Sequence, residues 1–155
     1  RELDRRQVRV QFEPDPTLPL VQADAVLIEQ VVINLVRNAS DALIEAVPRK
    51  VGAHPPGDRR ITLRTLPAAD ARSVCVEVSD NGPGLQGRTI EALCTPFYST
   101  KAEGMGMGLA ICRSILEAHR GTFDATEAPT GGACFSITVP VALQTGTSST
   151  EEVFA

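Results

Sequence analysis

Tryptophan is absent from the 155 residues, and aromatic side chains make up 4% of them. That leaves little material for the aromatic platforms on which single-stranded bases stack. Positive charge is not in excess either. Fifteen Lys and Arg face nineteen Asp and Glu, for a net charge of −4 and a pI near 5.2. A surface of this kind is not built to neutralise a nucleic-acid backbone, so any bound phosphate must be held by local devices. No run of about 18 apolar residues occurs, and no basic-then-apolar leader. The expectation is a cytoplasmic domain that makes no membrane contact, with membrane anchoring of a longer parent left open. The four cysteines, Cys75, Cys94, Cys112 and Cys134, form no CxxC pair and have no histidine at ligand spacing. They read as reduced thiols acting as small hydrophobes, not as a zinc site or a disulfide framework.

What is present is an ordinary globular mixture, 43% hydrophobic and 22% charged, of a length that suits one domain. Residues 6–12 alternate as a half-buried strand, with Val8, Val10 and Phe12 on one side. Pro14, Pro16 and Pro19 then interrupt the chain, and Leu20-Val21 fits a very short extended piece. Asp24 is a good helix N-cap, and from Ala25 to about Val47 apolar residues recur at three and four until Pro48. A Pro/Gly loop follows, then two alternating runs, 61–66 and 74–78, which suggest an antiparallel pair. A glycine-rich turn at 80–87 precedes a short helical piece at 88–93. A second amphipathic helix begins at Leu109 and stops at Gly121, and 122–127 with 133–139 reads as a closing hairpin. The order predicts helices on one face of a mixed, mainly antiparallel sheet, an α/β (α+β) two-layer sandwich. Boundaries are expected at 1–5 (a lead-in), 6–141 (the domain) and 142–155 (a disordered tail).

Three places have the composition of a site. On the long helix Asn34 and Asn38 are one turn apart, with Gln30 a turn before and Asp41 a turn after. They read either as solvated surface groups or as oxygen ligands for a hard cation, because magnesium keeps most of its waters and takes few protein oxygens. Asp80 closes a strand and opens the turn Asn81-Gly82-Pro83-Gly84-Leu85, where glycines allow close backbone approach and the carboxylate can accept from an amino group. An ordinary strand-end turn is the other reading. Gly82 to Gly87 also satisfies GxGxxG, but Pro83 and the short helix after it do not suit a dinucleotide fold. Gly104-Met105-Gly106-Met107-Gly108-Leu109 runs into a helix N-terminus, where unpaired N–H groups suit phosphate oxygens, and Lys101 lies just upstream. A hinge that binds nothing is the alternative. His54 and His119 are flanked as neither catalytic nor phospho-acceptor groups, and a positive charge on His119 would suit its helix C-terminus.

Taken in order, these segments resemble the boxes of the sensor histidine kinases. The run 29–39 is similar to their N box, Asp80-Asn81-Gly82-Pro83-Gly84 to the G1 box, and Thr95-Pro96-Phe97-Tyr98-Ser99-Thr100-Lys101 to the F box. Gly104 to Leu109 resembles the G2 box, and Gly131-Gly132-Ala133-Cys134-Phe135 the glycine turn before the last strand. The resemblance spans residues 6–140 and implies the Bergerat ATP-binding fold. It further implies ATP and Mg2+ as cofactors, with Asn38 as metal ligand and Asn34 on the phosphate side. Asp80 is expected to take the adenine amino group, while Gly82, Gly84 and Leu85 let the base lie close. Thr100, Lys101, Gly104, Met105, Gly106, Met107, Gly108 and Leu109 would wrap the phosphates as a lid, and Asp41 would add a carboxylate nearby. Asn34, Asn38 and Lys101 are the expected catalytic set.

Asn34 bears on the reaction. It stands where the ATPase relatives of this fold carry a water-activating glutamate, and an amide cannot serve as a general base at neutral pH. The implied acceptor is a histidine on a separate dimerisation domain of the same parent, since no phospho-acceptor box occurs in this chain. A response regulator is the implied downstream partner, and the isolated domain is expected to be monomeric. An anti-sigma-type serine kinase, an ATPase switch and a degenerate nucleotide-binding module are the alternatives on the same fold.

Overall fold

The structure is a computed structural model that describes residues 2–46, 58–96, 106–129 and 131–142. Among the described residues four helices and five strands follow in the order α1 (Glu2–Arg5), β1 (Val8–Glu13), α2 (Ala25–Glu45), β2 (Arg59–Pro67), β3 (Ser73–Asp80), α3 (Ile90–Leu93), α4 (Gly108–Ala118), β4 (Thr122–Glu127) and β5 (Ala133–Pro140). The strands form one sheet, β1-β2-β3-β5-β4. β1 and β2 run parallel, as a connection carrying α2 allows. The other three pairings are antiparallel. The sheet is therefore mixed and mainly antiparallel, in an α/β sandwich.

The periodicities explain the layers. In β5, Ala133, Phe135, Ile137 and Val139 are buried while the residues between them are only half-buried. On α2, Val31, Leu35, Ala39 and Leu43 follow at intervals of four, each no more than 2% exposed. They meet Cys112 and Leu116 of α4 and Ile61, Val78 and Ile137 of the sheet in one core. Burying a side chain of this size contributes about 1.5–3 kcal/mol. Because β3 side chains alternate, Asp80 shares the helix-covered face with Val78.

Local chemistry sets the ends. The Asp24 carboxylate accepts from the N–H groups of Val26 and Leu27, starting α2 at Ala25. The helix stops earlier than the spacing predicts, because Ala46 turns extended (ψ 110°) while its N–H still bonds Ala42 O. β1 also departs from expectation. Val8 is buried, but Val10 and Phe12 are 45% and 60% exposed, since β1 is an edge strand. The Leu20-Val21 piece does pair, Val21 bridging Val141 and Ala142 N–H donating to Leu20 O. The chain is thus still held at Ala142.

His119 is engaged at both ring nitrogens. Its Nε2 accepts from the Asp24 N–H at 3.1 Å, and its Nδ1 lies 2.7 Å from Ile115 O. The side chain thereby ties the end of α4 to the start of α2.

Candidate functional site

Asp80 is the most deeply placed acid of the candidate residues, 5% exposed at the end of a core strand. Its Oδ1 accepts from Gly82 N–H at 2.8 Å and from Ala133 N–H at 3.3 Å. The described residues give Oδ2 no hydrogen bond, which leaves it as the acceptor for an incoming donor. Burial pushes the Asp80 carboxyl above its ordinary pKa; the two N–H groups work against that and the nearby charge of Glu127 adds to it.

The glycines around Asp80 are explained by neighbours more than by a ligand. A Cβ on Gly132, where φ is +86°, would lie 2.0 Å from the Asp80 carbonyl oxygen. At Gly82 it would meet Asp80 Oδ1 at 2.9 Å and Leu43 Cδ2 at 3.4 Å. At Gly84, φ +75°, it would lie 2.2 Å from Glu127 Oε2. The space expected to let a base approach Gly84 is therefore occupied by the Glu127 carboxylate, which accepts from the N–H groups of Leu85 and Gln86. Leu85 itself points into the core at 7% exposure, so its side chain is a packing element. Asn81 fastens the turn from the other side, through Arg60 N–H and Asp58 O.

α2 forms the wall beside this turn. Leu43 packs next to Gly82 at one end, and at the other Asn34 Nδ2 donates to Cys112 Sγ on α4 at 3.7 Å. Nine residues of helix separate those contacts by about 13 Å, and the half-buried Asn38 lies between them. Burial pushes the Cys112 thiol up to about 11, so it stays protonated, receives the Asn34 amide and points its own S–H at Val31 O. Asn34 is thereby oriented with its oxygen opposite Cys112. Asp41 is brought elsewhere. Its Oδ1 takes the Arg6 guanidinium at 2.6 Å, an ion pair that includes Ser40 Oγ and Glu2 and binds the chain start to α2.

α4 begins without a side-chain cap. Met107 precedes it and makes no capping hydrogen bond, Gly106 has φ +65°, and a Cβ on Gly108 would meet nothing within 4 Å. Among the described residues no side chain caps its first N–H groups. The Met107 side chain instead lines an apolar groove of about 380 Å³ with Leu27, Pro96, Ala110, Ile111 and Ile115, which contains none of Asn34, Asn38 or Asp80. Of the remaining lid residues, Gly106 and Leu109 are half-buried, whereas Thr100, Lys101, Gly104 and Met105 lie outside the described residues. Among the described residues no group of three or more His, Cys, Asp or Glu could hold a metal ion. A magnesium ion would accordingly rely on an amide oxygen, phosphates and water, a donor set that suits it. No described helix is long and apolar enough to cross a membrane.

Asp80 and Asn38 are the residues the sequence singles out as candidates. Glu127, Gly132, Ala133 and Cys112 were not assigned to the site, although the paired glycines at 131–132 marked the turn that touches Asp80.

Residues 23–143 match the family described as "Histidine kinase-, DNA gyrase B-, and HSP90-like ATPase". The chain is 47% identical over 124 residues to the C4-dicarboxylate transport sensor protein DctS of Rhodobacter capsulatus, covering 80% of this chain and 17% of that protein. It is 42% identical over 137 residues to the sensor protein FixL of Bradyrhizobium diazoefficiens, covering 88% of this chain and 25% of that one. Both relatives are therefore far longer than the matched part. Among solved structures, the nucleotide-free catalytic domain of histidine kinase ThkA superposes with a TM-score of 0.71 at 29% identity, over 90% of this chain and 82% of that one.

Proposed function

Because the chain belongs to the family of histidine kinase-, DNA gyrase B- and HSP90-like ATPases, we propose that it is the catalytic half of a sensor histidine kinase. It binds Mg-ATP and presents the γ-phosphoryl group to a histidine on a separate dimerisation domain of the same parent. A response regulator then receives the phosphoryl group from that histidine. The observation that carries this reading is Asp80, whose Oδ1 is saturated by backbone donors while Oδ2, on a buried carboxylate, awaits an amino group. The adenine amino group supplies such a donor.

Each element then has one task. Asp80 fixes the base, with Gly82 and Gly84 shaping the turn beneath it. Asn38 offers the amide oxygen that would hold magnesium, and Asn34, oriented by Cys112, faces the phosphates. The uncapped start of α4, from Gly106 and Met107 to Gly108 and Leu109, offers N–H groups to phosphate oxygens, and Thr100, Lys101, Gly104 and Met105 belong to the same lid. Asp41 stays with Arg6 as a structural pair. When bound, Mg-ATP supplies a neutralised γ-phosphoryl group for in-line attack by a histidine nitrogen, with ADP as the leaving group. The protein's part is positioning and charge stabilisation, as phosphoryl transfer requires. With an amide at position 34, no side chain there can take a proton from water, which directs the phosphoryl group to the histidine.

The test combines the chain, Mg-ATP and the dimerisation domain of its parent. Acid-labile, base-stable phosphate should accumulate on that domain, and Asn38→Ala should remove the transfer while leaving magnesium-free ADP binding in place. Steady ATP hydrolysis by the chain alone, with no phosphate on the partner, would point to an ATPase switch. Acid-stable phosphate on a protein serine would point to a serine kinase.

A further inference from the structure

The turn from Asp80 to Gly87 has no ladder of strand hydrogen bonds to keep its shape, yet it contains left-handed residues at Gly84, Gln86 and Gly87 (φ +75°, +55° and +77°). Glycine adopts such angles freely, but glutamine does so at a cost, so something must over-determine the backbone there. Glu127, the last residue of β4, does this. Its Oε1 accepts from Leu85 N–H at 3.0 Å and Gln86 N–H at 3.1 Å, and its Oε2 accepts from Leu85 N–H at 3.1 Å. Among the described residues no Lys, Arg or His pairs with Glu127, so two backbone donors meet its charge. Such charge-assisted bonds are stronger than neutral ones. Arg88 Nε holds the other end of the same residue, donating to Leu85 O at 2.9 Å. The fit against Gly84 is close: a Cβ there would stand 2.2 Å from Glu127 Oε2, and the carboxylate would have to move to admit it.

We propose that Glu127 is a positioning residue of the nucleotide site, clamping the Gly84–Gln86 backbone to β4 so that the turn stands open with Asp80 at its root. The inference rests on the reading of Asp80 as the adenine acceptor. Glu127 does not itself touch the nucleotide. Its influence reaches the base through the turn and through its charge, which acts on the buried Asp80 carboxyl. A second titratable neighbour of Asp80, the Cys134 thiol on β5, is pushed up to about 11 by burial and stays neutral.

The experiment is calorimetric titration of the chain with ATP and ADP across pH, with near-ultraviolet circular dichroism as a check on folding. Glu127→Ala should weaken ATP and ADP alike by about tenfold, leaving unchanged the factor by which magnesium strengthens ATP binding. Glu127→Gln keeps an oxygen acceptor for the turn and should recover most of the affinity. It also removes a negative neighbour of Asp80, so the acid limb of nucleotide binding should move to lower pH. A folded Glu127→Ala variant within twofold of the original affinity overturns the proposal. So does an acid limb that stays in place in Glu127→Gln, because Glu127 would then be only a hairpin residue. Asp80→Asn separates the two layers of argument. If that variant binds ATP as well as the original chain, the adenine reading fails whatever Glu127 does; if it binds poorly while Glu127→Ala binds normally, only the clamp fails.

Discussion

The two ends of the proposed nucleotide site are built differently. Around Asp80 the protein fixes its own backbone before a ligand arrives and leaves only Oδ2 to be met: Gly82 and Ala133 donate to Oδ1, Glu127 grips Leu85 and Gln86, and Gly132 lies close against the Asp80 carbonyl. At the head of α4 the opposite holds. Among the described residues no side chain caps the helix, and none lies within 4 Å of where a Cβ on Gly108 would sit. The base end of the proposed site is thus preorganised, whereas at its phosphate end the described residues supply no side-chain cap. Preorganisation lowers the cost of binding the part of the nucleotide that does not change. In the proposed site, phosphates bound at the head of α4 would complete that end and so would let it distinguish nucleotide states.

The contrast breaks most readily at Gly132. An alanine there would drive its Cβ into the Asp80 carbonyl in a left-handed backbone conformation. Gly132→Ala should cost about 3 kcal/mol or more. For a domain of this size that lowers the Tm by about 6–12 °C, readable by thermal unfolding. A Tm within 2 °C of the original would show that the hairpin does not brace the Asp80 turn.

Asp80→Asn comes next and separates binding from stability. Asparagine keeps an oxygen for Gly82 and Ala133 but replaces the free acceptor with a donor, so ATP affinity should fall about a hundredfold. Stability should move the other way. The folded protein holds the Asp80 proton to higher pH than the unfolded chain does. Raising pH through that window therefore destabilises the fold, and the full deficit is present above it. At pH 7 the variant should be about 1 kcal/mol more stable, and the gain should vanish as pH falls below the ordinary carboxylate range. A variant less stable than the original at pH 7 contradicts the burial argument.

The same contrast accounts for what could be read in the sequence. Asp24 as a cap, the four-residue spacing on α2 and the alternation of β5 are local patterns, and each appears where its periodicity places it. Asn38 and Asp80 stand out as candidates because their residue types conflict with their surroundings: an amide inside a helix and an acid ending an apolar strand. Glu127 carried no such signal. Its partners Leu85 and Gln86 lie 42 and 41 residues away, and Cys112 meets Asn34 across 78. Contacts of that kind arise only once the sheet order is fixed, as does the parallel β1–β2 pairing. Asp41 misled for the same reason, since its guanidinium partner comes from the start of the chain, 35 residues away. The glycines carry a second meaning: the spacing of Gly82 and Gly84 suggested room for a ligand, while at Gly84 the place a Cβ would take is held by the Glu127 carboxylate.

Gly108 sharpens the comparison with the smallest effect. It opens α4 with nothing within 4 Å of where a Cβ would sit, and its backbone is not left-handed. Gly108→Ala should therefore stabilise the domain by about 0.5 kcal/mol, by reducing the freedom lost when the helix forms. The methyl group would stand beside N–H groups proposed to meet phosphate oxygens, so ATP affinity should fall about threefold while adenosine affinity stays level. Stability and ATP binding then move in opposite directions at one position, the reverse of Gly132→Ala, which should lower both. Equal changes in ATP and adenosine affinity would remove the phosphate role from the head of α4 and leave the Asp80 end as the whole of the recognition surface.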